Sequence, residues 1–365
     1  MKAVVLAGGY ATRLRPISYA LPKLLFPVLG KPMIYRTLEM LRSIGVDEVI
    51  LAVNYLADKL RADVGSNYNG MVVNYSFETE AMGTAGPIKL ASKTTRLDET
   101  FIAMNGDVIA QIDLKELLNQ HTRTGAQITD AVHEVKNPER FGVVQLGAEN
   151  HIRRFVEKPT KREAPSRLVN AGIYAIEPDV LRMIPDGRKV SLEKEIFPTV
   201  ADQGKLCGFP FSGDWFDIGD LADYRKANLA FLREVEAEST GGVRNTNFAA
   251  QYSLRKPIFL GEGSEIGSGA VLGPEAIIGK SDSIQEGARI SNSILFDRVS
   301  VGEKAVIAGS IVGSDVSVGK RVKINQGCIV SPSVRIHEGV KVGRGAIIHP
   351  YKEIERDVKA GSHVM

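Results

Sequence analysis

Several classes of protein are excluded by what this chain has little of. Cysteine occurs twice, at Cys207 and Cys328, far apart and with no partners at metal spacing. That argues against a disulfide scaffold and against structural zinc. No uninterrupted apolar run approaches the roughly 18 residues of a membrane span. The apolar stretch at the amino terminus stops at Gly8-Gly9 and reads as a strand rather than a signal peptide. Net charge is nearly absent: 46 Lys and Arg against 43 Asp and Glu leave +3, too little for a global field that draws nucleic acid or anionic membrane. What remains is an ordinary globular composition, 44% apolar and 24% charged over 365 residues, enough for two domains at roughly 150 residues each. The expectation is a cytoplasmic, two-domain protein.

The halves are built differently. From Leu260 a branched aliphatic returns every six residues, at Leu260, Ile266, Leu272, Ile278, Ile284 and Ile290. After Phe296 the phase slips to Val301 and Ile307, slips again to Val312, and holds through Val318, Ile324, Val330, Ile336, Val342 and Ile348. Glycine often follows the aliphatic, as at Gly267, Gly279, Gly302, Gly319 and Gly343. This hexapeptide period predicts a parallel β-helix, with aliphatics filling a prism and glycines where a Cβ would crowd. Three positions per coil make about five coils.

The first half alternates short apolar runs with helical patterns. Ala3–Leu6, Glu48–Val53, Val72–Ser76 and Phe101–Met104 read as strands. Ile34, Leu38 and Leu41, then Leu56, Leu60 and Val64, read as helices between them. The βαβα order predicts a mostly parallel sheet, with ligands bound outside the carboxyl ends of its strands. Asp220 is expected to cap a last helix through Tyr224, Leu229 and Leu232. A cut near residue 240 is expected to leave a folded domain without exposing the hexapeptide core.

Residues 1–38 hold Lys2, Arg13, Arg15, Lys23, Lys31 and Arg36 and not one Asp or Glu. In a nearly neutral chain this is a local trap for anions, and it coincides with a glycine loop, Leu6-Ala7-Gly8-Gly9, leaving the first strand. Glycines let backbone N–H groups approach phosphate oxygens, and Arg and Lys neutralise the remaining charge. Neither a Walker-type loop nor Gly-x-Gly-x-x-Gly is present. Asp107 follows an apolar strand, and Asp217 stands in Trp215-Phe216-Asp217 among bulky apolar residues. Two carboxylates facing a phosphate loop are what nucleotide-bound Mg²⁺ needs. Glu157 and Lys158 end another strand-like run.

These segments, with Pro22-Lys23, Gly30-Lys31-Pro32, Gly83-Thr84-Ala85-Gly86, Asn105-Gly106-Asp107, Phe155-Val156-Glu157-Lys158-Pro159, Asn170-Ala171-Gly172-Ile173-Tyr174, Glu193-Lys194-Glu195-Ile196-Phe197-Pro198 and Trp215-Phe216-Asp217-Ile218-Gly219, resemble in order the motifs of the sugar nucleotidyltransferases. Glu80 to Gly86 and Ser191 to Glu195 look most like the mannose-1-phosphate guanylyltransferase branch, and neighbouring branches share them. Two positions depart from the family: Ala11, where glycine is usual before Thr-Arg, and Asp220-Leu221-Ala222, where proline is frequent.

The resemblance implies a Rossmann-like nucleotidyltransferase domain at 1–240, a linker at 241–256 and a left-handed β-helix at 257–365. It implies that Leu6, Ala7, Gly8, Gly9, Arg13 and Lys23 hold the triphosphate, with Glu78, Glu80 and Gly83 at the base. Gly142, Glu157 and Asn170 would hold sugar hydroxyls, Lys158 the sugar phosphate, and Asp107 and Asp217 the Mg²⁺. The implied reaction joins a nucleoside triphosphate, GTP favoured, to a sugar 1-phosphate, mannose 1-phosphate favoured. A thymidylyl- or uridylyltransferase acting on glucose 1-phosphate is the alternative. Acyl transfer by His337 or His349 in the β-helix and a catalytically silent regulatory subunit are weaker rivals. A homo-oligomer assembled through the β-helix is expected.

Overall fold

A computed structural model describes residues 1–238 and 252–365. The expected boundary at 240 and most of the expected linker lie outside the described residues. The chain forms two compact units, neither continuous in sequence. The first is Met1–Tyr10 with Met33–Ile218, and the second is Ala11–Pro32 with Gly219–Met365.

In the first unit the strand Lys2–Ala7 lies between Glu48–Val53 and Phe101–Asn105, parallel to both, and Met71–Phe77 is parallel to Glu48–Val53. These runs are nearly uniformly apolar because both faces of a central parallel sheet are covered. Val4, Val5, Val49, Ile50, Leu51, Phe101 and Ile102 are all fully buried. The helices Met33–Ser43, Ala57–Val64 and Ala85–Thr94 follow strands, as the alternation predicts. The sheet then continues with antiparallel strands: Leu168–Ile176 pairs with Phe101–Asn105, and Gly142–Leu146 joins it to Ile152–Glu157. The parallel strands end together, so Gly8, Glu78 and Gly106 leave the sheet at one edge. Backbone bonds tie that edge: Glu78 N–H donates to Val53 O at 2.9 Å, and Gly106 N–H donates to Leu6 O at 2.9 Å.

In the second unit, three parallel sheets of six, seven and six strands are threaded three strands to a coil. This is a left-handed β-helix of six coils, against the expected five. Its first strand is Ser253–Leu254, paired in parallel with Val271–Leu272. It therefore starts a few residues before position 257, at an aliphatic with no glycine beside it. The prism is filled by Leu272, Ile278, Ile284, Ile290, Val301, Ile307, Val312 and their successors. Tight stacking explains the glycines: a Cβ on Gly279 would sit 2.3 Å from the carbonyl oxygen of Phe296 in the next coil.

One inward position differs from the sequence reading. Leu295, not Phe296, stands in register with Val312 and fills the prism. The phase therefore slips one position before Phe296 rather than after it. Phe296 is fully buried all the same. Its ring meets Phe26 and Tyr224 edge-on, at centroid distances of 5.7 and 5.9 Å. Phe26 and Tyr224 also meet edge-on at 5.6 Å.

Tyr224 belongs to the helix Leu221–Glu238, which Asp220 caps as expected by accepting from the N–H groups of Ala222 and Asp223, both at 2.9 Å. Another residue of this helix, Asn228, accepts from Leu29 N–H at 3.0 Å. The Ala11–Pro32 segment is thus packed on the last helix and on a β-helix corner. A cut near residue 240 removes Phe296 from the other two rings.

Replacing Phe296 with Ala is expected to destabilise the protein by about 3–5 kcal/mol, the usual cost of emptying a buried aromatic site. Denaturant unfolding of the full chain measures it. A loss under about 1 kcal/mol would show that the three-ring cluster does not hold the segment.

Candidate functional site

The expected nucleotide residues of the first unit cluster at the carboxyl edge of the parallel strands. Leu6 and Ala7 end the first strand, and Gly9 follows with φ 104°. Gly8 is required by contact: a Cβ there would lie 2.6 Å from Glu78 Oε1. Glu78 therefore reaches over the glycine turn, and its Oε2 accepts from Met82 N–H at 3.2 Å. Burial pushes the Glu78 carboxyl above its ordinary range, opposed by the Met82 N–H. Gly83 has φ 79°, and a Cβ on it would meet Val190 O at 2.3 Å. It leads into the helix Ala85–Thr94. Glu80 is exposed.

Asp107 and Asp217 come from distant segments and meet on one short ladder. Trp215–Asp217 pairs antiparallel with Val108–Ala110, setting Asp217 opposite Val108. Ile218 N–H then donates to Asp107 O at 3.0 Å. Trp215 anchors its strand by donating from Nε1 to Ala171 O at 3.1 Å and packing edge-on against Phe141 at 5.1 Å.

The expected sugar residues lie on the antiparallel extension. Gly142 stands opposite Glu157 in the ladder. Lys158, exposed at the strand end with φ 48°, donates its N–H to Phe141 O at 3.0 Å, and its Nζ lies 3.7 Å from Glu157 Oε1. Asn170 sits where the register of Leu168–Ile176 shifts against Ile128–Glu134. Its side chain bridges Gly172 N–H at 2.6 Å and Tyr174 Oη at 2.9 Å.

Arg13 and Lys23 belong to the second unit. Arg13 lies in the 3₁₀ turn Thr12–Leu14, its guanidinium over Gly219. Lys23 opens the turn Lys23–Leu25, immediately before the buried Phe26. Ala11 adopts φ 45°, ψ 42°, the left-handed conformation that glycine takes without steric cost. Its carbonyl is held by Leu14 N–H at 3.0 Å and Ser18 Oγ at 2.9 Å. The departure from the family's glycine therefore leaves the loop formed, with strain.

Not every cation of the acid-free run belongs here. Lys2 sits at the amino end of its strand, away from Gly8, and pairs with Glu48 at 3.7 Å. The two histidines of the acyl-transfer alternative are otherwise engaged. His337 Nε2 lies 2.7 Å from Glu353 Oε1 on an exposed face, and the His349 ring lies 5.6 Å from that of Tyr19.

Comparison with known proteins identifies the family. Residues 2–234 match the nucleotidyl transferase family, and residues 254–364 match the GMPPB C-terminal domain. The chain belongs to the nucleotidyl transferase family. Similar curated relatives include a probable mannose-1-phosphate guanylyltransferase 2 of Arabidopsis thaliana, 35% identical over 334 residues and covering 89% of each chain. A mannose-1-phosphate guanyltransferase of Pichia angusta is 32% identical over 329 residues, again 89% of each. Among solved structures, a putative glucose-1-phosphate thymidylyltransferase from Bacillus anthracis superposes with TM-score 0.58 at 25% identity, over 67% of this chain and 98% of that one. HddC from Yersinia pseudotuberculosis, complexed with GMP-PN, gives 0.53 at 29% identity, over 63% and 99%.

In this nucleotidyl transferase the sequence reading gave no role to Thr84, Tyr174 or Glu193, which hydrogen bonds connect to Asn170, or to the buried Asp130. Thr84, Tyr174 and Glu193 lay in family motifs. Asp130 stands within an apolar strand and gave no signal.

Replacing Ala11 with Gly is expected to preserve turnover and raise stability by an amount on the order of 1 kcal/mol, as the left-handed strain is relieved against glycine's entropy cost. Denaturant midpoints of the two proteins check it. A destabilised Gly variant would contradict the left-handed turn.

Proposed function

We propose that this chain joins GTP and mannose 1-phosphate to give GDP-mannose and pyrophosphate. The observation that carries the reading is the short ladder that sets Asp217 opposite Val108, next to Asp107, at the sheet edge where the glycine turn leaves. The names of the 35% and 32% identical relatives supply the sugar and the base. Glu78 supports guanine in particular: a carboxylate over the turn can accept from the two N–H groups on that base's edge.

The roles follow from charge. Gly8 and Gly9, with Leu6 and Ala7 behind them, let backbone N–H groups approach the triphosphate. Arg13 and Lys23 neutralise it, Arg13 at the departing β and γ phosphates. Glu80 and Gly83 complete the base side. Lys158 takes the sugar phosphate, and Gly142, Glu157 and Asn170 the sugar hydroxyls. The sugar-phosphate oxygen attacks the α-phosphorus in line and pyrophosphate leaves, so no protein nucleophile is needed. The work of the chain is to hold two anions together and to stabilise charge that grows on the leaving group.

Asp107 and Asp217 offer the oxygen donors a hard dication requires, so they fit Mg²⁺. When bound, Mg²⁺ neutralises phosphate charge. We also place the chain in the cytoplasm, as a homo-oligomer formed through the β-helix. Among the described residues no helix is long and apolar enough to cross a membrane. Light scattering of the full chain tests the assembly, and a monomer would refute it.

A matrix of nucleoside triphosphates against sugar 1-phosphates, read by pyrophosphate release, tests the activity. Preference for dTTP or UTP with glucose 1-phosphate would replace the proposed substrates. Asp107→Asn and Asp217→Asn should each fold and lose at least about a hundredfold in kcat. Near-normal turnover at ordinary Mg²⁺ would remove that residue from the metal site. The anion assignments separate kinetically: Lys158→Ala should chiefly raise KM for mannose 1-phosphate, and Arg13→Ala should chiefly lower kcat. The opposite pattern would exchange their roles.

A further inference from the structure

Glu193 collects hydrogen bonds whose directions are all fixed. Gly172 N–H lies 2.6 Å from Asn170 Oδ1. A backbone amide can only donate, so the oxygen of the Asn170 amide faces it. The amide nitrogen then donates to Tyr174 Oη at 2.9 Å. Having accepted that bond, Tyr174 sends its own proton to Glu193 Oε1 at 3.4 Å.

The same logic runs in from the other side. Leu192 N–H donates to Thr84 Oγ1 at 2.8 Å, and Thr84 donates to Glu193 Oε2 at 2.6 Å. Lys194 N–H donates to Ser191 Oγ at 3.2 Å, and Ser191 donates to Glu193 Oε2 at 2.7 Å. Three hydroxyl protons converge on one carboxylate. A side chain that offers only acceptors suits that convergence.

Asp130 lies next to this group, fully buried, and neither of its carboxyl oxygens has a hydrogen-bond partner among the described residues. Burial first, and then the charge of Glu193, holds the Asp130 carboxyl well above its ordinary range.

We propose that Glu193 is a positioning residue for sugar recognition. Acting through Tyr174, it locks the Asn170 amide so that a second Nδ2–H is kept for a sugar hydroxyl, which Asn170 reads as an acceptor. The proposal rests on the reading of Asn170 as a sugar contact. A glutamine at 193 would set amide protons against hydroxyl protons. Tyr174 could then reverse only if the Asn170 amide flipped, and Gly172 N–H forbids the flip.

The test is steady-state kinetics of the full chain with GTP and mannose 1-phosphate. Glu193→Gln and Tyr174→Phe should each raise KM for mannose 1-phosphate roughly five- to tenfold, with kcat and the KM for GTP within about twofold. The double variant should be no worse than either single one, because both break the same chain of bonds. Tyr174→Phe keeps the ring that packs edge-on against Phe197 at 5.8 Å, so it carries the test if Glu193→Gln fails to fold.

Monodeoxy mannose 1-phosphates separate positioning from simple loss of structure. For the analogue lacking the hydroxyl that Asn170 reads, wild type and variant should have equal kcat/KM. A penalty equal across all analogues would overturn the proposal, as would an additive double variant. Asn170→Ala distinguishes the two levels. If it leaves KM for mannose 1-phosphate unchanged, the sugar-site reading itself fails. If it raises that KM while Glu193→Gln does not, only the role of Glu193 fails.

Discussion

Backbone amides donate and never accept, and this one-way rule orders the polar side chains around the strand ends. Met82 N–H holds Glu78 over the glycine turn. Gly172 N–H orients Asn170, and Leu192 N–H orients Thr84. Gly172 is fixed by a strand and Leu192 by a helical turn, and the side chain has one way to satisfy each N–H. A site assembled in this way is pre-organised: its donors and acceptors are spent before a ligand arrives, and what is left over is specific in direction. The same rule acts in the β-helix, where Asp282, nearly fully buried, accepts from Gly279 N–H at 2.9 Å and Val299 N–H at 2.7 Å.

Burial adds the second ingredient. Glu78 and Asp130 are both acids raised by desolvation, but their surroundings differ. Glu78 has an N–H donor and half-exposure, which favour its carboxylate. Asp130 has neither, and burial, with the charge of Glu193 beside it, disfavours its carboxylate far more. Hydroxyl protons converge on Glu193, and among the described residues none reaches Asp130.

Periodicity made the fold legible. The parallel strands appeared as unbroken apolar runs, the coils as a six-residue phase, and the last helix by its Asp220 cap. The phase was misread at one point, because a buried aromatic at 296 looks like a core residue in sequence. It is one, but of the ring cluster with Phe26 and Tyr224, while Leu295 fills the prism. A period reports that a residue is buried, not what buries it. The site was legible where residue type and strand end coincided, as at Gly8, Asp107 and Lys158. It was not legible at Glu193, whose partners Thr84 and Tyr174 are brought to it only by the fold, nor at Asp130, which lies within an apolar strand. Ala11 shows the reverse case: the sequence marked the position as unusual, and the backbone there is left-handed, a conformation glycine takes more cheaply than alanine.

Sequence families and packing divide this chain at different places. The nucleotidyl transferase match ends at residue 234, whereas Ala11–Pro32 and the helix Leu221–Glu238 pack in one unit with the β-helix. The acid-free run is split accordingly. Lys2 and Arg36 stay in the first unit, and Arg13, Arg15, Lys23 and Lys31 belong to the second. Lys23 precedes Phe26 by a single 3₁₀ turn, and Phe26 is covered by a ring from the β-helix. Any free energy that Phe296 contributes to folding is therefore also spent on fixing the segment that bears Arg13 and Lys23. By linkage, an anion that binds those cations only in the ordered segment stabilises the β-helix corner in return. The second half of the chain is a structural part of the cationic loop, whatever else it assembles with.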